Sequence, residues 1–187
     1  MAYVKVSVKK NGDGAGCATA KSSEIIIIDA EDIKSEPTRE VGNVVAKGDL
    51  TLNEGAKAVS IYATTSTIEV TEETSGDADA RGIMQGIAYE HPGNSVDIKN
   101  HTEAFLNKGV VILVKECDGS AEGRVQLIGS KCNPLYLTLE STNNKEATKR
   151  KFTWKQEMAG KYLAADYAGA IPDIADPATA SDNEEGA

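Results

Sequence analysis

Between His91 and Trp154 the apolar residues change their spacing once, from a helical period to a strand period, and the chain beyond the change reads as extended. After His91-Pro92-Gly93, either Asn94 or Ser95 offers a short polar side chain to cap a first helical turn. Ile98, Thr102, Phe105 and Leu106 then share one face, with Lys99, Asn100, Glu103 and Asn107 on the other, which predicts an amphipathic helix near 95–108. Gly109 is expected to end it in the left-handed conformation. Val110-Val111-Ile112-Leu113-Val114 is too apolar and too β-branched for a surface helix, so it reads as a buried strand ending at Asp118-Gly119. The loop Asp118 to Gly123 returns the chain as a hairpin into Arg124–Ile128, which alternates. Leu135, Leu137 and Leu139 alternate with Tyr136, Thr138 and Glu140; beyond a polar turn at Ser141 to Lys145, Lys151–Lys155 alternates again. Four strands with one helix laid against them make an α+β unit that is mainly β.

Upstream, the stretch from Tyr3 to Lys9 reads as a first strand or an extended arm, and Asn11 to Ser23 is a Gly-, Ala- and Ser-rich loop with little to bury. Ile25-Ile26-Ile27-Ile28 is a central strand, followed by a polar stretch from Asp29 to Glu40. Val41–Ala46, Asp49–Leu52 and Val59–Ala63 are further strands, the last extended over Thr67–Thr71 and expected to stop there because the chain turns acidic at Glu72. Glu72 to Arg81 then forms a loop longer than the usual two to five residues of a hairpin, about ten, before the chain becomes extended again over Ile83–Glu90. Three regions result: an arm and Gly-rich loop at 1–23, a β domain at 24–164, and an acidic, flexible tail at 165–187.

A net charge of −9 opposes binding to a phosphate backbone, which needs clustered Lys and Arg. Aromatic residues are 5% of the chain, so the core rests on Ile, Val and Leu. The N-terminus alternates instead of presenting the apolar block of a signal peptide, and no apolar run approaches the roughly 20 residues that span a bilayer. Cys17, Cys117 and Cys132 lack CxxC spacing, which argues against zinc; Cys117 and Cys132 are placed to bond, with buried free thiols favoured. Gly12, Gly14 and Gly16 imitate a dinucleotide fingerprint, but Cys17 stands where its third glycine belongs, and Ala18–Glu24 has no apolar face. His91 and His101 have no nucleophile or metal spacing beside them and read as structural: His91 ties down backbone at a corner, and His101 lies beside the helix stripe. Trp154, two residues from Phe152, reads as a core anchor. Asp77 and Asp79 lack the further ligands of a calcium loop, and the sequon Asn100-His101-Thr102 falls inside the helix. Charge is segregated: an acidic segment from Glu69 to Asp79, and a basic one from Lys145 to Lys155. Such runs are either solvated surface or a charge-matched subunit interface.

The succession Asp77-Ala78-Asp79-Ala80-Arg81-Gly82, Glu90-His91-Pro92-Gly93, the helix to Leu106, Gly109-Val110-Val111-Ile112, Ile128 to Leu135 and Phe152-Thr153-Trp154 resembles structural proteins of tailed phages and prophages of Bacteroides-type bacteria. Over about residues 20–165 the layout is similar to that of major tail tube proteins. The resemblance implies a β-sandwich or half-barrel of antiparallel strands flanked by one helix, with a long inter-strand loop and terminal arms. It implies a virion protein of the tail, made in the bacterial cytoplasm, with no catalysis and no cofactor. Copies of itself and other tail proteins are its partners, and DNA passes through a carboxylate-lined bore without specific binding. A head decoration, connector or surface-binding module is the alternative. The interface candidates under the tube reading are Glu72, Glu73, Asp77, Asp79 and Arg81 of the loop, with Lys149, Arg150 and Lys151 of the basic segment.

Overall fold

In a computed structural model, which describes residues 5–10, 12–13, 16–40, 42–117 and 123–176, two adjacent strands have both faces buried, and the rest of the molecule is layered on them. The strands in chain order are β1 (Ala20–Asp29), β2 (Ile33–Ser35), β3 (Thr38–Arg39), β4 (Val45–Lys47), β5 (Thr51–Leu52), β6 (Val59–Tyr62), β7 (Glu69–Ser75) and β8 (Gly82–Pro92). After helix α1 (Val96–Phe105) come β9 (Val110–Cys117), β10 (Arg124–Ile128), β11 (Leu135–Asn143), β12 (Thr148–Gln156) and β13 (Ala165–Tyr167). Eleven strands form one open, mostly antiparallel sheet in the order β3-β4-β13-β10-β9-β11-β12-β8-β7, with β1 on the other side of β9 and β6 beyond β1. β2 and β5 make a separate two-stranded sheet, and β13 runs parallel to β4.

The tetra-isoleucine run and Val110–Val114 are these two doubly buried strands, paired antiparallel with Ile25 opposite Val114 and Ile28 opposite Val111. Alternate side chains leave opposite faces of a strand, so a continuous apolar run needs cover on both. On one face Ile25, Ile27, Val110, Ile112 and Val114 pack with Ile87, Tyr89, Phe152, Trp154, Ile98 and Phe105, contributed by the folded-over β11–β12–β8 half and by α1. On the other, Ile26, Ile28, Val111 and Leu113 pack with Ile33, Leu50, Leu127, Ala165 and Tyr167.

Gly129 makes the corner between the halves. Its φ of +84° turns the chain between β10, which pairs with β9 up to Ile128–Ile112, and β11, which meets β9 at Leu135–Val110 before running out along β12. The buried pair Gln85 and Gln156 fastens the fold there: the Gln85 amide N–H donates to Gln156 Oε1 (3.0 Å), and Gln85 Oε1 accepts from the Gly129 N–H (2.7 Å). Gln85 Nε2 donates to the Tyr162 carbonyl and Gln156 Nε2 to that of Asn133, both at 2.9 Å.

Ser95 caps α1, its hydroxyl accepting from the Ile98 N–H, and Ile98, Thr102 and Phe105 are buried. Leu106 instead sits at the C-cap and is 53% exposed. Gly109 is needed for closeness, not for a left-handed turn: a Cβ there would lie 2.6 Å from the Pro134 ring. Val45–Lys47 and Thr51–Leu52 are shorter than Val41–Ala46 and Asp49–Leu52 suggest; Val41 lies outside the described residues. Asp118–Gly119 and most of the β9–β10 loop also lie outside them, as do residues 1–4 of the arm and 177–187 of the tail. Residues 5–10 form no strand, while the last four residues of the 1–23 region, Ala20–Ser23, already belong to β1.

The described part of the segment expected to be a flexible tail, residues 165–176, is built into the fold from its first residue. Ala165–Tyr167 pairs with β10 and β4, and Ile174 bridges Ala58. Tyr167 anchors it: its hydroxyl accepts from the Leu50 N–H (2.8 Å) and donates to the Ala170 carbonyl (2.6 Å). The cysteines are free and exposed, where buried thiols were expected for Cys117 and Cys132. Phe105 lies edge-on to Trp154 (6.3 Å between ring centres), so Phe105→Ala should destabilise the protein by about 3–5 kcal/mol in urea unfolding. A near-neutral result would mean that α1 does not close the core.

Candidate subunit interface

The interface candidates all fall on the β11–β12–β8–β7 half of the sheet, at its two ends and, except for Glu72, along its outer face. Phe152, Trp154, Ile87 and Tyr89 point inward, so their strand neighbours Lys151, Thr153, Lys155, Ala88 and Glu90 point away from the core. β7 continues the face with Glu69, Thr71 and Glu73, and β11 with Tyr136, Thr138 and Glu140. The result is an outward face of mostly small residues, with Tyr136, bordered by charges of both signs.

Those charges are largely paired within the molecule. Lys149 Nζ lies 2.9 Å from Glu90 Oε1, Lys155 Nζ 2.9 Å from Glu73 Oε2, and Lys151 Nζ 3.9 Å from Glu140 Oε2. Arg150 donates to Asn94 Oδ1 at 2.6 Å. Partly exposed pairs such as these contribute about 0–1 kcal/mol each, so their main effect is to keep the face near neutral. Glu72 turns the other way, under the sheet, and accepts from the Ala164 N–H at 2.6 Å.

The long loop expected over Glu72–Arg81 is shorter than its sequence suggests. β7 runs on to Ser75, which pairs with Gly82, and the turn proper is Gly76 to Arg81, with Asp77, Asp79 and Arg81 exposed at its tip. Acidic residues do not stop an edge strand whose side chains reach water. Asp79 takes a left-handed φ of 66°, and the Asp77 carbonyl accepts from the Ala80 N–H (3.1 Å), which closes the turn. Lys149 and Arg150 pair with Pro92 and His91 at the far end of β8. Eleven residues of β8 separate the acidic tip from the basic end, roughly 30 Å at the usual rise per residue. Within one molecule the two groups never meet.

A groove not anticipated from the sequence lies between β6, the start of α1 and the segment around Ile174. Its volume is about 780 Å³, and Glu24, Tyr62, His91, Asp97, His101 and Asp176 line it. Its signal was hidden because Ile174–Asp176 reads as tail. His91 holds the corner as expected, its Nδ1 2.8 Å from the Tyr62 carbonyl. His101 stacks at a tilt on Phe105 (5.0 Å) and stands edge-on to Phe152, with Nε2 buried and unpartnered. Among the described residues no His, Cys, Asp or Glu cluster is arranged to hold a metal ion, Asp77 and Asp79 included. No helix among them is long and apolar enough to cross a membrane. Comparisons with family models, curated proteins and solved structures return no match.

Burial, helped by the neighbouring His91 charge, pushes the His101 pKa down to about 4 from its usual 6.5. The unfolded chain therefore takes up this proton at a higher pH than the folded one, and stability is lost as pH falls from about 6.5 toward 4. The loss should reach up to about 3 kcal/mol. Urea unfolding of wild type and His101→Phe at pH 7.5 and 4.5 checks it: the variant should lose distinctly less stability between the two pH values, and equal losses would exclude His101 as the source.

Proposed function

We propose that this chain is a structural subunit that assembles with copies of itself into stacked rings, the tube of a phage tail through which DNA passes. The observation that supports the reading is the placement of exposed charge at the two ends of one half-sheet: Asp77 and Asp79 on the hairpin tip, and Lys149 and Arg150 at the far end of β8, where Glu90 and Asn94 engage them only locally. Opposite charges that cannot meet inside one molecule are complementary between two molecules stacked end to end, and such a heterologous contact repeats without limit along an axis. Lateral contacts form along open sheet edges, where unpaired amides and carbonyls favour a neighbouring strand. On this reading the partners are further copies and other tail proteins, and the protein's place is the virion. Its work is geometric, and DNA moves past a near-neutral or acidic surface that gives phosphate nothing to hold.

Negative-stain microscopy and sedimentation of the protein at rising concentration test the reading, with rings or hollow tubes as the expected result. Replacing Gly76–Arg81 by a two-residue Asn-Gly turn should leave the fold intact and the rings formed, but remove the stacks. Solitary molecules at every concentration and salt would overturn the proposal, and normal stacks from the shortened hairpin would remove the tip from it.

A further inference from the structure

Residues 5–10 lack helix and strand and are all exposed, Val6 at 74% and Val8 at 89%. Their sequence nevertheless has, over Lys5-Val6-Ser7-Val8-Lys9, the alternation of a half-buried strand. A strand pattern without a sheet is a segment missing its partner. No backbone hydrogen bond joins it to the described strands of its own molecule.

The sheet offers an acceptor. β7 is its terminal strand, seven residues long, hydrogen-bonded to β8 along one side only and mostly exposed. The opposite end of the sheet, β3, has two residues and carries Arg39, too short and of the wrong charge for a lysine-rich strand. The free side of β6 is flanked by the bridge from Ala58 to Ile174.

We propose that residues 5–10 of one copy add to the β7 edge of a second copy as a further strand. This rests on the self-assembly reading and names its contact. Centred on Ser7 opposite Thr71, the pairing works in either strand direction: Lys5 and Lys9 fall opposite Glu69 and Glu73, and a valine falls opposite Val70. Val70 is half-buried against the main core, so the added valine extends that core by one strand. The lysines lie on the outer face, where cross-strand pairs of opposite charge are favourable. The other valine meets Glu72, whose carboxylate is drawn aside to the Ala164 N–H. Backbone pairing supplies the affinity and the charge pattern fixes the register.

Disulfide trapping tests it, with the three exposed cysteines first replaced by serine. A Ser7→Cys chain mixed with a Thr71→Cys chain should oxidise to a linked heterodimer, because directly paired strand residues lie within disulfide reach. The yield should fall several-fold with Lys5→Glu/Lys9→Glu and rise no further than background when Thr138→Cys, on β11, replaces Thr71→Cys. A bond forming only within one molecule in the doubly substituted chain would overturn the exchange between copies, and background yield would overturn the register. Rings that still form from a chain starting at residue 11, with no cross-link in the longer one, would remove this contact and leave the assembly reading standing. A wild-type chain that never associates would remove both.

Discussion

The structure depends on burying both faces of one antiparallel pair, β1 with β9. Because Ile25 and Ile27 serve one core while Ile26 and Ile28 serve the other, neither strand has a side that tolerates a polar residue between Ile25 and Ile28 or between Val110 and Val114. The two layers follow from that requirement. One cover is the sheet's own continuation, turned back at Gly129 and locked by the Gln85–Gln156 amides, with α1 closing the gap. The other is made of short pieces, β2, β5 and the Leu50–Tyr167 contact, which individually bury little and hold because the surface beneath them is wholly apolar.

What the sequence made legible was whatever carried its own period. The helix with its Ser95 cap, the two continuous apolar runs, the alternating strands β11 and β12 and the inward placement of Phe152 and Trp154 all follow from spacing, although Ser141–Asn143, which read as turn, belong to β11 and pair with Thr148–Arg150. The mainly β architecture with one helix followed from these. What stayed hidden was held by partners instead of by pattern. Ala165-Asp166-Tyr167 has one large apolar residue and reads as tail, yet pairs on both sides through its backbone, and one phenolic hydroxyl anchors it. The acidic residues from Glu72 on read as the end of β7, but charge ends a core strand and does not end one at an edge. The candidate charges were legible as residues, but their pairing within the molecule depended on the β12–β8–β7 register, which no local pattern contains.

The fold leaves the β7 edge of its main sheet unpaired. A closed barrel would satisfy every strand, whereas this sheet ends in β7 with half of its backbone groups turned to water. The protein limits the hazard with glutamates on that strand and with neutralised charges on the adjoining face. Such an edge discourages indiscriminate pairing.

The distance along the chain between the members of the central pair has a kinetic meaning. Ile25 meets Val114 only after everything between them has been made, whereas β7–β8, β9–β10 and β11–β12 are hairpins whose halves are near neighbours in sequence. Local pairings close fast and distant ones slowly. The docking of β1 on β9, which closes a long stretch of chain, is therefore expected after the hairpins that flank it.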